Sequence, residues 1–128
     1  MRALVGARPA PWDIHPKSVA EWKELVAKVA AGKDASTRNA REARSQTQQT
    51  SMGGVNVFVL TPQSIAPKNQ NWVFLHFHGV ACVPSPGESG TREGTLMAAF
   101  GRAKVVSVDY RTSSDAPYPA VLDDCVTV

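Results

Sequence analysis

The chain has 128 residues, 43% hydrophobic and 20% charged, which allows one packed core and excludes two full domains or a low-complexity or collagen-like chain. Its 14 Lys and Arg against 11 Asp and Glu leave a net charge of +3, and the basic residues are dispersed apart from Arg38, Arg41 and Arg44, so no nucleic-acid partner is expected. No apolar run reaches the ~18 residues of a membrane span, no signal-peptide core is present, and Cys82 and Cys125 form neither a disulfide framework nor a metal-ligand spacing, so the expectation is a cytoplasmic chain with reduced thiols.

Residues 1–15, with Pro9, Pro11 and Trp12, read as an irregular arm laid over something apolar. Ser18 followed by Glu21 is a capping box, and Val19, Trp22, Leu25, Val26 and Val29 recur at helical spacing until Gly32, which predicts a helix over 19–32. Asp34 and Ser36 can cap a second short helix through Arg44. Val55-Asn56-Val57-Phe58-Val59-Leu60 is β-rich and follows Gly53-Gly54, so a hairpin pairing 46–50 with 55–60 and ending at Pro62 is expected. Trp72 to His78 is an almost continuous apolar run, as in a strand buried on both faces. A loop rich in Gly, Pro and Ser follows to Gly90. Thr91 can cap a helix that carries Leu96, Met97 and Phe100 to Gly101, and Val105 to Val108 is a second buried strand. A strand–helix–strand connection of this length makes the two strands parallel. Pro119 to Val128 reads as the first turns of a helix without a closing cap, which suggests that the 128 residues are part of a longer design. The whole is α/β with a mixed sheet.

Binding groups gather at the carboxyl ends of strands in open α/β sheets, and two such ends are visible, His76-Phe77-His78-Gly79 and Asp109-Tyr110-Arg111. His76 and His78, two residues apart, point to one face and could share a metal, but no third ligand lies near them in sequence. No metal is therefore expected; one histidine reads as structural and the other as bracing its loop. Asp109 and Arg111 read as an ion pair holding the loop that follows, or as substrate contacts, with the structural role preferred.

Val73-Phe74-Leu75-His76-Phe77-His78-Gly79 resembles the H-G-G-G region of the hormone-sensitive-lipase-like (family IV) carboxylesterases, a branch of the α/β-hydrolases. Val108-Asp109-Tyr110-Arg111, then Pro117-Tyr118-Pro119-Ala120 and Asp123-Asp124, resembles the same family's D-Y-R-L-A-P-E-x-x-x-P-A-x-x-x-D segment. The resemblance implies the N-terminal part of an α/β-hydrolase fold: cap helices over 1–45, and over 46–128 the N-terminal half of the core, as an antiparallel hairpin followed by a parallel βαβ unit. It implies a serine esterase acting on a small-molecule ester without a cofactor, with backbone N–H groups of the glycine loop stabilising the oxyanion. On this sequence the donors would be Gly79 and Val80, with Ala81 beside them; His78 would brace the loop, and Asp109, Arg111 and Asp123 would support it.

The departures are specific. His78-Gly79-Val80-Ala81 has Val and Ala at the second and third glycine positions, and a β-branched Val resists φ > 0. Arg111-Thr112-Ser113-Ser114-Asp115 stands where the family has R-L-A-P-E, without its stiff proline. No G-x-S-x-G nucleophile elbow occurs in the 128 residues, so the catalytic Ser, Asp or Glu, and His are expected beyond Val128, in the C-terminal half of the same enzyme, and the chain alone is expected to be inactive. The alternative is a truncated or degenerate homologue acting as an interaction module. In either case a half-sheet with open edges is expected to self-associate.

Overall fold

The computed structural model describes residues 15–42, 45–79 and 86–128, and in the first helix the side chains of 15–29 and 31. The proline-containing arm at 9–12 and the loop residues Val80, Ala81, Cys82 and Pro84 lie outside them. Helix α1 (Val19–Glu42) begins where the capping box places it. The Ser18 hydroxyl accepts the Glu21 N–H at 3.2 Å, and the Glu21 carboxylate accepts the Lys17 N–H at 2.8 Å, so the box closes one residue before the cap. The expected stop at Gly32 does not occur, and α1 is one helix of 24 residues through Asp34 and Ser36. A glycine inside a helix costs about 1 kcal/mol, whereas ending the helix and nucleating another fixes three residues for one hydrogen bond. Among the apolar residues expected to form its inner stripe, only Val26 is buried; Val19 and Trp22 remain 64% and 38% exposed.

The hairpin forms as expected and is longer, pairing β1 (Ser45–Met52) with β2 (Val55–Pro62) from Met52↔Val55 to Ser45↔Pro62. Gly53 and Gly54 make the two-residue turn at φ +57° and +87°, a pair of left-handed conformations that matches strand twist and that side-chain-bearing residues take at a cost. β2 then pairs antiparallel with β4 (Lys104–Val108), and β4 pairs parallel with β3 (Val73–Phe77) through the crossover helix α2 (Arg92–Gly101), giving the mixed order β1-β2-β4-β3.

Alternation along β2 and β4 divides the core into two layers. Val55, Val57, Val106, Val108 and Tyr110 form one cluster, packed against Val121 and Cys125 of helix α3 (Ala120–Thr127); Phe58, Leu60 and Val105 form the other with Ala98 of α2. β3 departs from expectation. It is the last strand of the sheet formed by the described residues, and Val73, Phe74, Leu75 and Phe77 are 54%, 44%, 49% and 43% exposed, with only His76 buried. Among the described residues β3 pairs with β4 alone and its side chains other than His76 remain exposed, so in these 128 residues the apolar run is not covered on both faces.

Thr91 sits at the N-cap of α2, yet its hydroxyl donates to the Glu88 carbonyl at 2.8 Å rather than capping the helix. At the other end Arg102 takes the left-handed position at φ 51°, one residue beyond the expected Gly101. The Asn69 side-chain amide donates to the Gly101 carbonyl at 2.9 Å, and the Ala66 N–H to the Arg102 carbonyl at 2.8 Å, so the segment before β3 satisfies the carbonyls at the end of α2. Among the described residues no helix is long and apolar enough to cross a membrane.

Candidate active site

The parallel pairing of β3 with β4 brings their carboxyl ends side by side, with Phe77 opposite Val108. The polar residues that follow each strand are therefore neighbours although about thirty positions separate them in sequence.

His76, still within β3, is buried against α2 and shares a 2.9 Å hydrogen bond between Nδ1 and the Ser107 hydroxyl. Burial lowers its pKa; Glu93, 3.8 Å from Nε2, opposes that shift and His78 adds to it. His78 has a different set of contacts. Its ring stacks on Tyr110, centroids 4.2 Å apart and planes 16° from parallel. The Tyr110 hydroxyl donates to the His78 carbonyl and lies 3.1 Å from His78 Nδ1, which is also 3.2 Å from the Gly79 carbonyl. With the tyrosine proton given to a carbonyl, Nδ1 is assigned as the protonated nitrogen, donating to the phenol oxygen and to Gly79. The two histidines thus take separate protein partners, and among the described residues no group of three or more His, Cys, Asp and Glu gathers in a way that could hold a metal.

Asp109 does not pair with Arg111. Its Oδ1 accepts the Gly87 N–H at 2.6 Å, and burial raises its pKa against that bond and the nearby His78. Gly87 opens a 3-10 turn over Gly87–Thr91 at φ +65°. Buried hydroxyls tie that turn down: Ser89 donates to the Pro86 carbonyl at 2.8 Å, and Thr95 to the Thr91 carbonyl at 2.9 Å. Nothing comes within 4 Å of where a Gly79 side chain would stand, so its lack of one is not demanded by internal packing among the described residues.

Arg111 pairs with Asp124, and here the sequence expectation of Asp123 is corrected. Asp124 accepts the Arg111 backbone N–H at 2.8 Å, Nε at 3.0 and 3.1 Å, and Nη2 at 2.7 Å. The reason is helical phase: Ala120 and Asp124, four residues apart, form the buried face of α3, and Asp123 lies about 100° around the helix in solvent. The signal was present, since three residues between Pro119-Ala120 and the carboxylate lead to Asp124. The stretch without the family's proline is held by side chains instead. Thr112 donates to Asp115 Oδ2 and shares a bond with Ser114, both at 2.8 Å, while Asp115 lies 3.5 Å from Lys23 Nζ on α1. Ser113 and Ser114 with Val19 and Trp22 line a cavity of about 140 Å³ between this turn and α1. The partners of Tyr110, Thr112 and Asp115 are not legible in the sequence, because other elements bring them in. Val80 and Ala81, read as oxyanion-loop residues, lie outside the described residues.

Residues 74–128 match the family described as alpha/beta hydrolase fold. An AB hydrolase superfamily protein of Schizosaccharomyces pombe is 33% identical over 89 residues, covering 70% of this chain and 26% of that protein. The esterase LipI of Mycobacterium tuberculosis is 35% identical over 74 residues, covering 56% of this chain and 22% of that protein. Among solved structures, that of an esterase E25 superposes with a TM-score of 0.87 at 31% identity, covering 93% of this chain and 38% of that one. A hormone-sensitive lipase from a metagenome library shares the fold, with a TM-score of 0.59 at 24% identity over 92% of this chain and 40% of that one. The chain spans about a quarter of the length of these two curated relatives.

Proposed function

Since the chain has the α/β-hydrolase fold, we propose that it belongs to the hormone-sensitive-lipase-like group and supplies the oxyanion-loop half of a carboxylic-ester hydrolase, with the nucleophile and its acid and base carried by the C-terminal half of the same enzyme. The observation that supports this reading is the juxtaposition of His78-Gly79 with Asp109-Tyr110-Arg111 at neighbouring strand ends, in a fold that superposes on an esterase at a TM-score of 0.87. Residues 1–45 would contribute to a cap and 46–128 to the core. The setting would be cytoplasmic.

Ester hydrolysis of this kind adds a serine oxygen to the carbonyl carbon, and negative charge develops on the carbonyl oxygen. Donors about 3 Å from that oxygen stabilise the transition state, and removing one typically costs roughly 3–4 kcal/mol. The Gly79 and Val80 N–H groups would be the donors, with Ala81 beside them. His78, Asp109 and Arg111 would act through the loop rather than on the substrate. Asp124, in the place first read for Asp123, anchors Arg111.

The test is hydrolysis of a short-chain p-nitrophenyl ester by the purified chain, and by a chimera in which the chain replaces the matching 38% of the E25 esterase. No turnover by the chain and turnover by the chimera are expected. Turnover by the isolated chain, or a folded chimera whose own serine is intact and which remains inert, overturns the proposal.

A further inference from the structure

We infer that Tyr110 and Asp109 are positioning residues that hold the two ends of the 79–87 connection, and that Tyr110 sets the direction of the Gly79 N–H. Adjacent residues of an extended segment point to opposite sides, so a dipeptide leaving β4 can reach two places at once. Tyr110, 4% exposed, reaches the start of the connection, where its hydroxyl donates to the His78 carbonyl and its ring stacks on the imidazole. Asp109 reaches the end, where its carboxylate accepts the Gly87 N–H at 2.6 Å. The Asp109 N–H in turn donates to the Asn56 carbonyl at 3.0 Å, which continues the β2–β4 ladder and gives the dipeptide a rigid base.

The peptide unit explains why the tyrosine contact matters. The carbonyl of His78 and the N–H of Gly79 belong to one planar trans amide and point in opposite directions. Holding the carbonyl oxygen from one side with a buried hydroxyl therefore fixes the N–H on the other. The bond from His78 Nδ1 to the Gly79 carbonyl adds a restraint on the next peptide, at 3.2 Å. The value of this arrangement to catalysis rests on the proposed function, in which the Gly79 N–H faces the oxyanion; the geometric part does not.

Nuclear magnetic resonance on the full 128-residue chain tests it with Tyr110→Phe, which keeps the ring and removes the hydroxyl, and with Asp109→Asn and Asp109→Ala. The Gly79 N–H order parameter is expected near the rigid value of about 0.85 in the wild type and below about 0.6 in Tyr110→Phe. Hydrogen exchange at Gly87 is expected to quicken in the order wild type, Asp109→Asn, Asp109→Ala, by about tenfold overall, because asparagine still accepts a weaker, uncharged bond. An unchanged Gly79 order parameter in Tyr110→Phe, or unchanged Gly87 exchange in Asp109→Ala, overturns the inference. Both are read on the chain itself, so they are separate from the chimera assay, whose failure would remove the catalytic purpose of Gly79 and leave the anchoring intact. In an active chimera, Tyr110→Phe is expected to lower kcat with little change in KM.

Discussion

At Arg111 a single carboxylate satisfies three donors, the backbone N–H, Nε and Nη2. Asp124 is buried while the guanidinium stays 55% exposed, so the pair is part solvated and the bonds to Asp124, rather than the bare charge attraction, carry its worth. Charge-assisted hydrogen bonds of this sort contribute about 1.5–3 kcal/mol; with one partner in solvent, Asp124→Ala is expected to cost about 1–2 kcal/mol in urea unfolding. The neighbouring Asp123→Ala is expected to stay within about 0.5 kcal/mol of wild type; equal losses from the two would refute the assignment of Asp124. The bonds from Arg111 hold the Asp124 carboxyl below its ordinary value despite burial. A carboxylate lowered on folding stabilises above its unfolded pKa, near 3.9, and that stability is lost as pH falls through the lower folded value. Acid unfolding below about pH 4 should therefore be steeper in the wild type than in Asp124→Asn. Asp109, raised by burial, works with the opposite sign: stability declines as pH rises from its unfolded pKa through its folded one, and Asp109→Asn removes that decline.

At the next level up, helix α2 lies close against the sheet. A Cβ on Gly94 would stand 2.9 Å from Leu60 Cδ1 and 3.1 Å from His76 Nδ1. Leu60 is fully buried and His76 is held by Ser107, so neither can retreat freely. Replacing a helical glycine by alanine gains roughly 0.5–1 kcal/mol of backbone entropy, but overpacking a core costs about 1–3 kcal/mol. Gly94→Ala is expected to be net destabilising by about 1 kcal/mol or more, measured as a lower Tm. Gly101→Ala in the same helix, with no atom within 4 Å of the new methyl group, should raise Tm instead. Helix α1 and strand β3 show where local patterns mislead. The polar sequence of α1 after Gly32 contains cap residues that would serve a helix start, yet continuing a helix already formed is the cheaper course. The apolar run of β3 identifies a strand, but not how much of that strand stays exposed in these 128 residues.

The 128-residue chain presents strand β3 and the residue before it as an apolar band, with Trp72, Val73, Leu75 and Phe77 65%, 54%, 49% and 43% exposed. Unpaired edges with apolar side chains invite pairing with another chain, so sedimentation velocity is expected to show concentration-dependent association of the purified chain. Leu75→Lys with Phe77→Lys should shift it toward monomer, and association unaffected by these charges would place the contact elsewhere. The hairpin at Gly53-Gly54, the parallel strand–helix–strand unit and the two motifs at His78-Gly79 and Asp109-Tyr110-Arg111 are legible in the sequence, because turn chemistry, strand patterning and short motifs are local. That Asp109 bonds Gly87, that Arg111 takes Asp124 and that Tyr110 grips the His78 carbonyl come from the three-dimensional arrangement. Each of those depends on which elements the sheet order makes neighbours, and on the phase at which a helix face meets them, neither of which can be read from one segment alone.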